Sequence, residues 1–116
     1  MSQHASLSPE RWASFGFDQQ ILMIGNELNR ASRWTSDDDW PHAQRSYERI
    51  LRLVDLTVEV QHRSGRRREL LRWRDLIAAL YIGSRPQPRE HAAAFRALLL
   101  LTPAAARQIP YVLAEH

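Results

Sequence analysis

WPHAQRSYERILRLVDLTVEVQH, residues 40–62, is the stretch around which the rest of the chain is arranged. It reads as one long helix with two apolar stripes. Ala43, Tyr47, Ile50 and Val54, with Leu51 and Val58 beside them, recur at the three-and-four spacing of one helical face. Leu53, Leu56 and Val60 form a second stripe, rotated toward the opposite side. Between the stripes lies a polar strip of Arg45, Glu48, Arg49, Arg52 and Glu59. A helix with one wet strip and apolar flanks either packs centrally or faces another chain. Asp39 is a good N-cap, and Pro41 falls in the first turn, where a missing N–H costs nothing. The aspartates at 37, 38 and 39 put negative charge at the positive end of the helix dipole. Ser64-Gly65 is expected to close the helix, with His62 and Arg63 near its last carbonyls.

A length of 116 residues fits one domain, expected over 1–116 with 1–7 and 114–116 as loose tails. Hydrophobic residues make up 44% and charged residues 25%, the balance of a globular protein with one core. The absence of cysteine excludes disulfides, thiolate metal sites and cysteine nucleophiles, and fits a reducing compartment. All sixteen basic residues are arginine, which excludes Schiff-base lysine chemistry and a phosphate-loop lysine. The pI of about 10.2 reflects arginine's persistent charge; the net charge of +3 is modest. The start of the chain is polar, and the most apolar window, 92–106, is interrupted by Arg96 and Pro103. A cytoplasmic protein without a membrane partner is expected.

Before the central helix, Ser8-Pro9-Glu10 is a helix-start signal, followed by a short segment ending at Gly16 in which Trp12 and Phe15 can clip onto the core. Phe17, Ile21, Ile24, Leu28 and Ala31 predict a helix over 17–34, with Gly25 available for close helix approach. A short connection then makes this helix and the central one antiparallel neighbours. Leu70, Trp73, Ile77 and Leu80 predict a third long helix after the arginines at 66–68, closing at Gly83 as a C′ residue. A fourth, over 89–101, is apolar almost all round. Thr102-Pro103 restarts a short helix, and Pro110 is expected to break it. No strand-like alternation or internal repeat is present. The fold class is therefore all-α: an antiparallel bundle of four main helices with short extra helices at both termini.

Four constellations bear on function. Asp55, Glu59 and His62 have the i, i+4, i+7 spacing of a helical metal site, and Glu59-x-x-His62 is the pairing of di-iron bundles. Those bundles need two copies plus two further glutamates, and one copy is present here. No metal and no cofactor are expected, and a carboxylate/histidine metal bundle is the remote alternative. Second, Glu27, Arg30, Asp55, Glu69, Arg72, Arg74 and Asp75 sit beside or among core positions. They are expected to form a buried polar network in which arginine pairs the carboxylates and fixes helix register. A catalytic acid or base is the alternative there, without a recognisable nucleophile nearby. Third, Arg63, Arg66, Arg67, Arg68 and Arg72, next to Trp73, are candidate anion or nucleic-acid ligands; a solvated turn is the plain reading. Cations at a helix N-terminus are electrostatically misplaced unless an anion joins them. Fourth, Arg85 and His91 flank the start of the fourth helix.

That last pair, with the helix order and the segments Asn29-Arg30-Ala31 and Ala43-Gln44-Arg45-Ser46-Tyr47, resembles the HEPN-like helical domains of prokaryotes. These are small, often dimeric bundles, and many cleave RNA with an arginine and a histidine near a helix start. The resemblance implies that Arg85 contacts phosphate and His91 assists proton transfer at a 2′-hydroxyl. Catalytic members usually have a polar residue after the arginine, whereas Pro86 stands here. The chain is also similar to a family of small, uncharacterised bacterial all-helical proteins in the segments 47–57 (YERILRLVDLT) and 68–75 (RELLRWRD). That likeness implies a fold and no activity.

The leading expectation is a non-enzymatic helical bundle that self-associates, most simply as a homodimer, or binds a protein partner. Leu53, Leu56 and Val60 are the expected interface, because only the fourth helix or the C-terminal tail folding across is left to cover them within the chain. An RNA-binding or RNA-cleaving bundle using Arg85 and His91 is the alternative.

Overall fold

The computed structural model describes residues 7–83 and 86–113. The expected loose tails, beyond Leu7, lie outside these residues, as does Arg85. Leu7 itself is half-buried against the core.

Among the described residues seven helices follow one another, and there is no strand. The first, α1 (Pro9–Ala13), begins as the sequence predicts: the Ser8 hydroxyl accepts the Arg11 N–H at 3.1 Å, with proline in the first turn. Gly16 precedes α2 (Phe17–Ser36), whose Ile21, Ile24, Leu28 and Ala31 are fully buried at the predicted spacing. Across a connection at 37–39, Asp38 takes the left-handed conformation at φ 57°, which a short polar side chain tolerates. Asp39 then caps α3 (Trp40–Val60), accepting the His42 N–H at 3.2 Å. Four long helices with short terminal ones make an all-α protein.

Three boundaries differ from expectation. The central helix stops at Val60, with Gln61 extended, and its side chain accepts the Arg63 N–H at 3.1 Å. Ser64 and Gly65 therefore do not end α3; they are the first two residues of α4 (Ser64–Ile82). Two small residues can open a helix as readily as close one, and here the extended run at 61–63 supplies the stop. Gly83 ends α4 with φ −66°, so it is not a left-handed C′ glycine. After α5 (Pro88–Leu99), Thr102 caps α6 (Pro103–Ala106) as predicted. Pro110 lies in the first turn of α7 (Ile109–Val112), so it starts a helical turn where the sequence suggested a break.

One hydrophobic cluster draws buried residues from α1 through α6. The most extensive pairing is α2 with α3; α3 also packs on α1 and α4, and α2 on α5 and α6. Gly25 is buried where α2 meets α5, and a Cβ there would stand 3.3 Å from the Phe95 ring. The ring therefore sits a few tenths of an ångström closer to the α2 backbone than an alanine would let it. No helix among the described residues is long and apolar enough to cross a membrane.

Candidate functional site

The expected interface is the first to be revised. Leu53 is fully buried within the chain, and Leu56 and Val60 are half-buried against the core. The cover comes from the short N-terminal helix. On α1, Trp12 is fully buried, and its indole N–H donates to Thr57 Oγ1 at 2.9 Å. Thr57 in turn donates to the Leu53 carbonyl at 2.7 Å. Gln20 holds the turn after α1, donating to the carbonyls of Trp12 and Phe15 at 2.9 and 3.1 Å. This five-residue helix packs on α3 with its tryptophan wholly buried.

The expected buried polar network shrinks to one carboxylate. Glu27 is buried, with its side chain 4% exposed, and it receives Arg49 Nε at 3.1 Å and Arg30 Nη1 at 3.3 Å. Arg49, assigned by pattern to the wet strip, also donates to Ser46 at 3.1 Å. This joins α2 to α3. Asp55 is not buried. Its side chain is 56% exposed and makes a two-pronged contact to Arg74 of α4, at 2.6 and 3.3 Å. The hydrogen bond to Asp55 raises the Arg74 pKa above its ordinary value. An exposed pair of this kind aligns α3 with α4 but adds little stability. Arg30, Glu69, Arg72 and Asp75 are exposed as well, with Glu69 and Arg72 3.8 Å apart. The reason is rotational: these residues flank the core stripes closely enough for periodicity to admit them, yet their helices turn them outward. Among the described residues no group of three or more histidine, aspartate or glutamate side chains is placed to hold a metal.

His91 occupies a different role from the one the resemblance implies. It is 3% exposed, in the first turns of α5. Its Nε2 lies 2.9 Å from the Leu28 carbonyl, which can only accept, so that nitrogen carries the proton. Nδ1, 2.6 Å from the Tyr47 hydroxyl, then accepts from it. The imidazole thus ties α5 to α2 and α3, and both ring nitrogens are occupied. Burial, foremost, and the nearby Glu90 charge raise the Tyr47 pKa above its ordinary value. A histidine held this way has a structural use, and Arg85, its partner in the alternative catalytic reading, lies outside the described residues. Ala94, Phe95 and Leu98 share its face at i+3, i+4 and i+7, a signal in the sequence that His91 points inward.

The arginines at the α4 start lie at the surface. Arg63 is the N-cap residue without a side-chain cap, and the first turn carries no acidic residue. Arg67 and Arg68 are exposed, while Arg66 sits over the Phe17 ring at 4.6 Å. That cation–π contact gives one of the four a structural use.

A different surface emerges between α4 and α5. The Trp73 indole N–H donates to the Ala94 carbonyl at 2.8 Å and fixes the two helices together. Alongside runs a groove of about 200 Å³ lined by Glu69, Arg72, Trp73, Leu76, Ala97 and Leu101. Leu76 is 42% exposed, and Leu100, next to Leu101, is 57% exposed. Apolar side chains form the groove, and one carboxylate and one guanidinium stand at its edge. Leu71 and Ile82, also exposed, lie on another flank of α4. Glu69, Arg72 and Trp73 were singled out in the sequence for other roles, as a buried network and an anion site, and not as a groove. Its signal was the apolarity of the fourth predicted helix, more than an internal core alone requires.

Comparison of the chain with protein-family models, curated proteins and solved structures finds no match in any of the three.

Proposed function

We propose that this chain is a non-enzymatic helical module that acts by associating with a second copy of itself through the α4–α5 groove. The observation that carries the reading is exposed Leu76, with Leu101, in a groove edged by Glu69 and Arg72. In a two-fold contact the same patch meets itself, here arranged with each Glu69 facing an Arg72 of the other copy. The loose Glu69–Arg72 contact within one chain leaves both groups available for that exchange. Removing the leucines from water supplies the driving force. Short connections between the long helices favour an antiparallel bundle, and the absence of cysteine favours a reducing, cytoplasmic setting. Light scattering on the eluting protein tests the reading. Dimer mass is expected for the native chain and monomer mass for Leu76→Arg, with helical content unchanged. Monomer mass for both overturns it.

The arginine-rich start of α4 favours a second reading, contact with nucleic-acid phosphate. Its support is three exposed arginines around the helix start (Arg63, Arg67 and Arg68) and a first turn without an acid. Salt-dependent binding of single-stranded RNA, lost in Arg67→Gln/Arg68→Gln, is the expected result; unchanged binding in that variant removes it.

A further inference from the structure

Beyond the α4–α5 groove, α5 borders a second and larger hollow. It has a volume of about 500 Å³ and is lined by Pro88, Arg89, Ala92, Ala93, Arg96 and Leu113. We infer that this hollow docks an acidic helix of a partner protein, with two carboxylates seven residues apart reaching Arg89 and Arg96 across an apolar contact.

Charge identifies the occupant. Two of the six lining residues are cations and none is an acid. Both arginines are exposed, and neither pairs with a carboxylate among the described residues. The nearest acid in sequence, Glu90, is committed elsewhere: its carboxylate accepts the Gln87 N–H at 2.8 Å and closes the capping box. Arg89 stands in the first turn of α5, at the positive end of the helix dipole, where a carboxylate is attracted by both.

Geometry narrows the occupant to a helix. Arg89 and Arg96 are seven residues apart, so they project from one face about two turns, roughly 10 Å, from each other. A partner helix with acids at the same interval matches that separation. Between the arginines the floor is Ala92 and Ala93, whose small side chains let a helix backbone come close, while Pro88 and Leu113 give it apolar walls. A nucleic-acid strand would set phosphates and sugars against that apolar floor, which offers them no hydrogen-bond donors. The surface is separate from the α4–α5 groove, since Ala97 and Leu101 line that groove and not this hollow.

The test is an amide-resolved NMR titration of the full chain with an alanine-based helical peptide. The peptide carries two glutamates seven residues apart and leucine between them. Saturable shifts centred on Ala92, Ala93 and Arg96 are expected, with affinity about tenfold weaker for Arg89→Gln/Arg96→Gln. The same peptide with glutamine for glutamate should give no saturable shifts. Both arginines are exposed, so the double variant keeps the native spectrum elsewhere. Absence of shifts, shifts centred on residues 63–68, or equal affinity in the variant overturns the proposal. So does a single-stranded RNA that shifts Ala92 and Ala93 equally. Concentration-dependent shifts there without peptide would assign the hollow to a second copy of the chain and also overturn it.

Discussion

Replacing Tyr47 with phenylalanine isolates the buried contact that holds α5 to the centre of the molecule. The substitution removes one hydroxyl and leaves the ring, which packs against Trp40 at 6.1 Å and His91 at 5.8 Å between centroids. What it takes away is the 2.6 Å hydrogen bond to His91 Nδ1. With the imidazole 3% exposed, water does not readily replace that donor. Leaving a buried acceptor unsatisfied costs about 1–3 kcal/mol, and the small void adds little, so a loss of about 2 kcal/mol is expected. For a domain of this size that lowers Tm by about 8 °C. His91→Ala removes the ring as well and is expected to cost about 3 kcal/mol or more. The alkaline limb gives an independent reading. Burial holds the Tyr47 phenol above its ordinary value of 10.0, so the folded chain keeps it neutral where the unfolded chain ionises it. Its contribution is complete below about pH 10 and is lost at about 1.4 kcal/mol per pH unit above that, until the folded-state value is reached. Urea unfolding of the native chain and Tyr47→Phe at pH 7 and at higher pH measures both effects. A variant within about 0.5 kcal/mol of the native chain at pH 7, with the same alkaline slope, would refute the hydrogen-bond assignment.

Trp12→Phe should lose the Thr57 hydrogen bond and some packing, about 2 kcal/mol, and expose Leu56 and Val60 to faster hydrogen exchange. Unchanged exchange at α3 would mean that α1 does not cover it. Glu27→Ala should destabilise by about 2 kcal/mol, whereas Glu27→Leu/Arg49→Leu should lie within about 1 kcal/mol of the native chain, because the pair is removed whole. A double variant no better than the single one contradicts this. Gly25→Ala should stabilise by about 0.5 kcal/mol. The helix gains from alanine, and the Phe95 ring borders hollows of about 110 and 40 Å³ into which it can move by a few tenths of an ångström. Thermal melts showing a lower Tm would show that the ring cannot yield.

The helices were legible in the sequence because their signals are local. Ser8, Asp39 and Thr102 cap the helices that follow them, and the core faces of α2 and α3 follow directly from the spacing of Ile, Leu and Val. Ser64-Gly65 misled because a small-residue pair has no direction; only the extended backbone at Gln61 decides which helix it belongs to. What resisted was long-range. Trp12 meets Thr57 across 45 positions, so nothing near Leu53 announces that its stripe is already covered. Arg49 and Arg30 look alike in the sequence, yet Arg49 reaches the buried Glu27 from another helix. Asp55 lies among leucines and valine but points to the rim, since a turn of one position moves a side chain about 100° around the axis. The candidate site was the least legible. Leu76, Ala97 and Leu101 belong to two helices and acquire meaning only when Trp73 joins them.

Self-association through the α4–α5 groove is tested most directly by sedimentation equilibrium of two charge-reversed chains, Glu69→Arg and Arg72→Glu, alone and mixed in equal amounts. A two-fold contact sets like charges against each other in either chain alone and opposite charges in the mixture. Each variant alone should therefore sediment with a mass close to the monomer, and the mixture should recover the dimer mass of the native chain. A native chain that stays monomeric at high concentration, or a mixture no heavier than its components, would contradict the account.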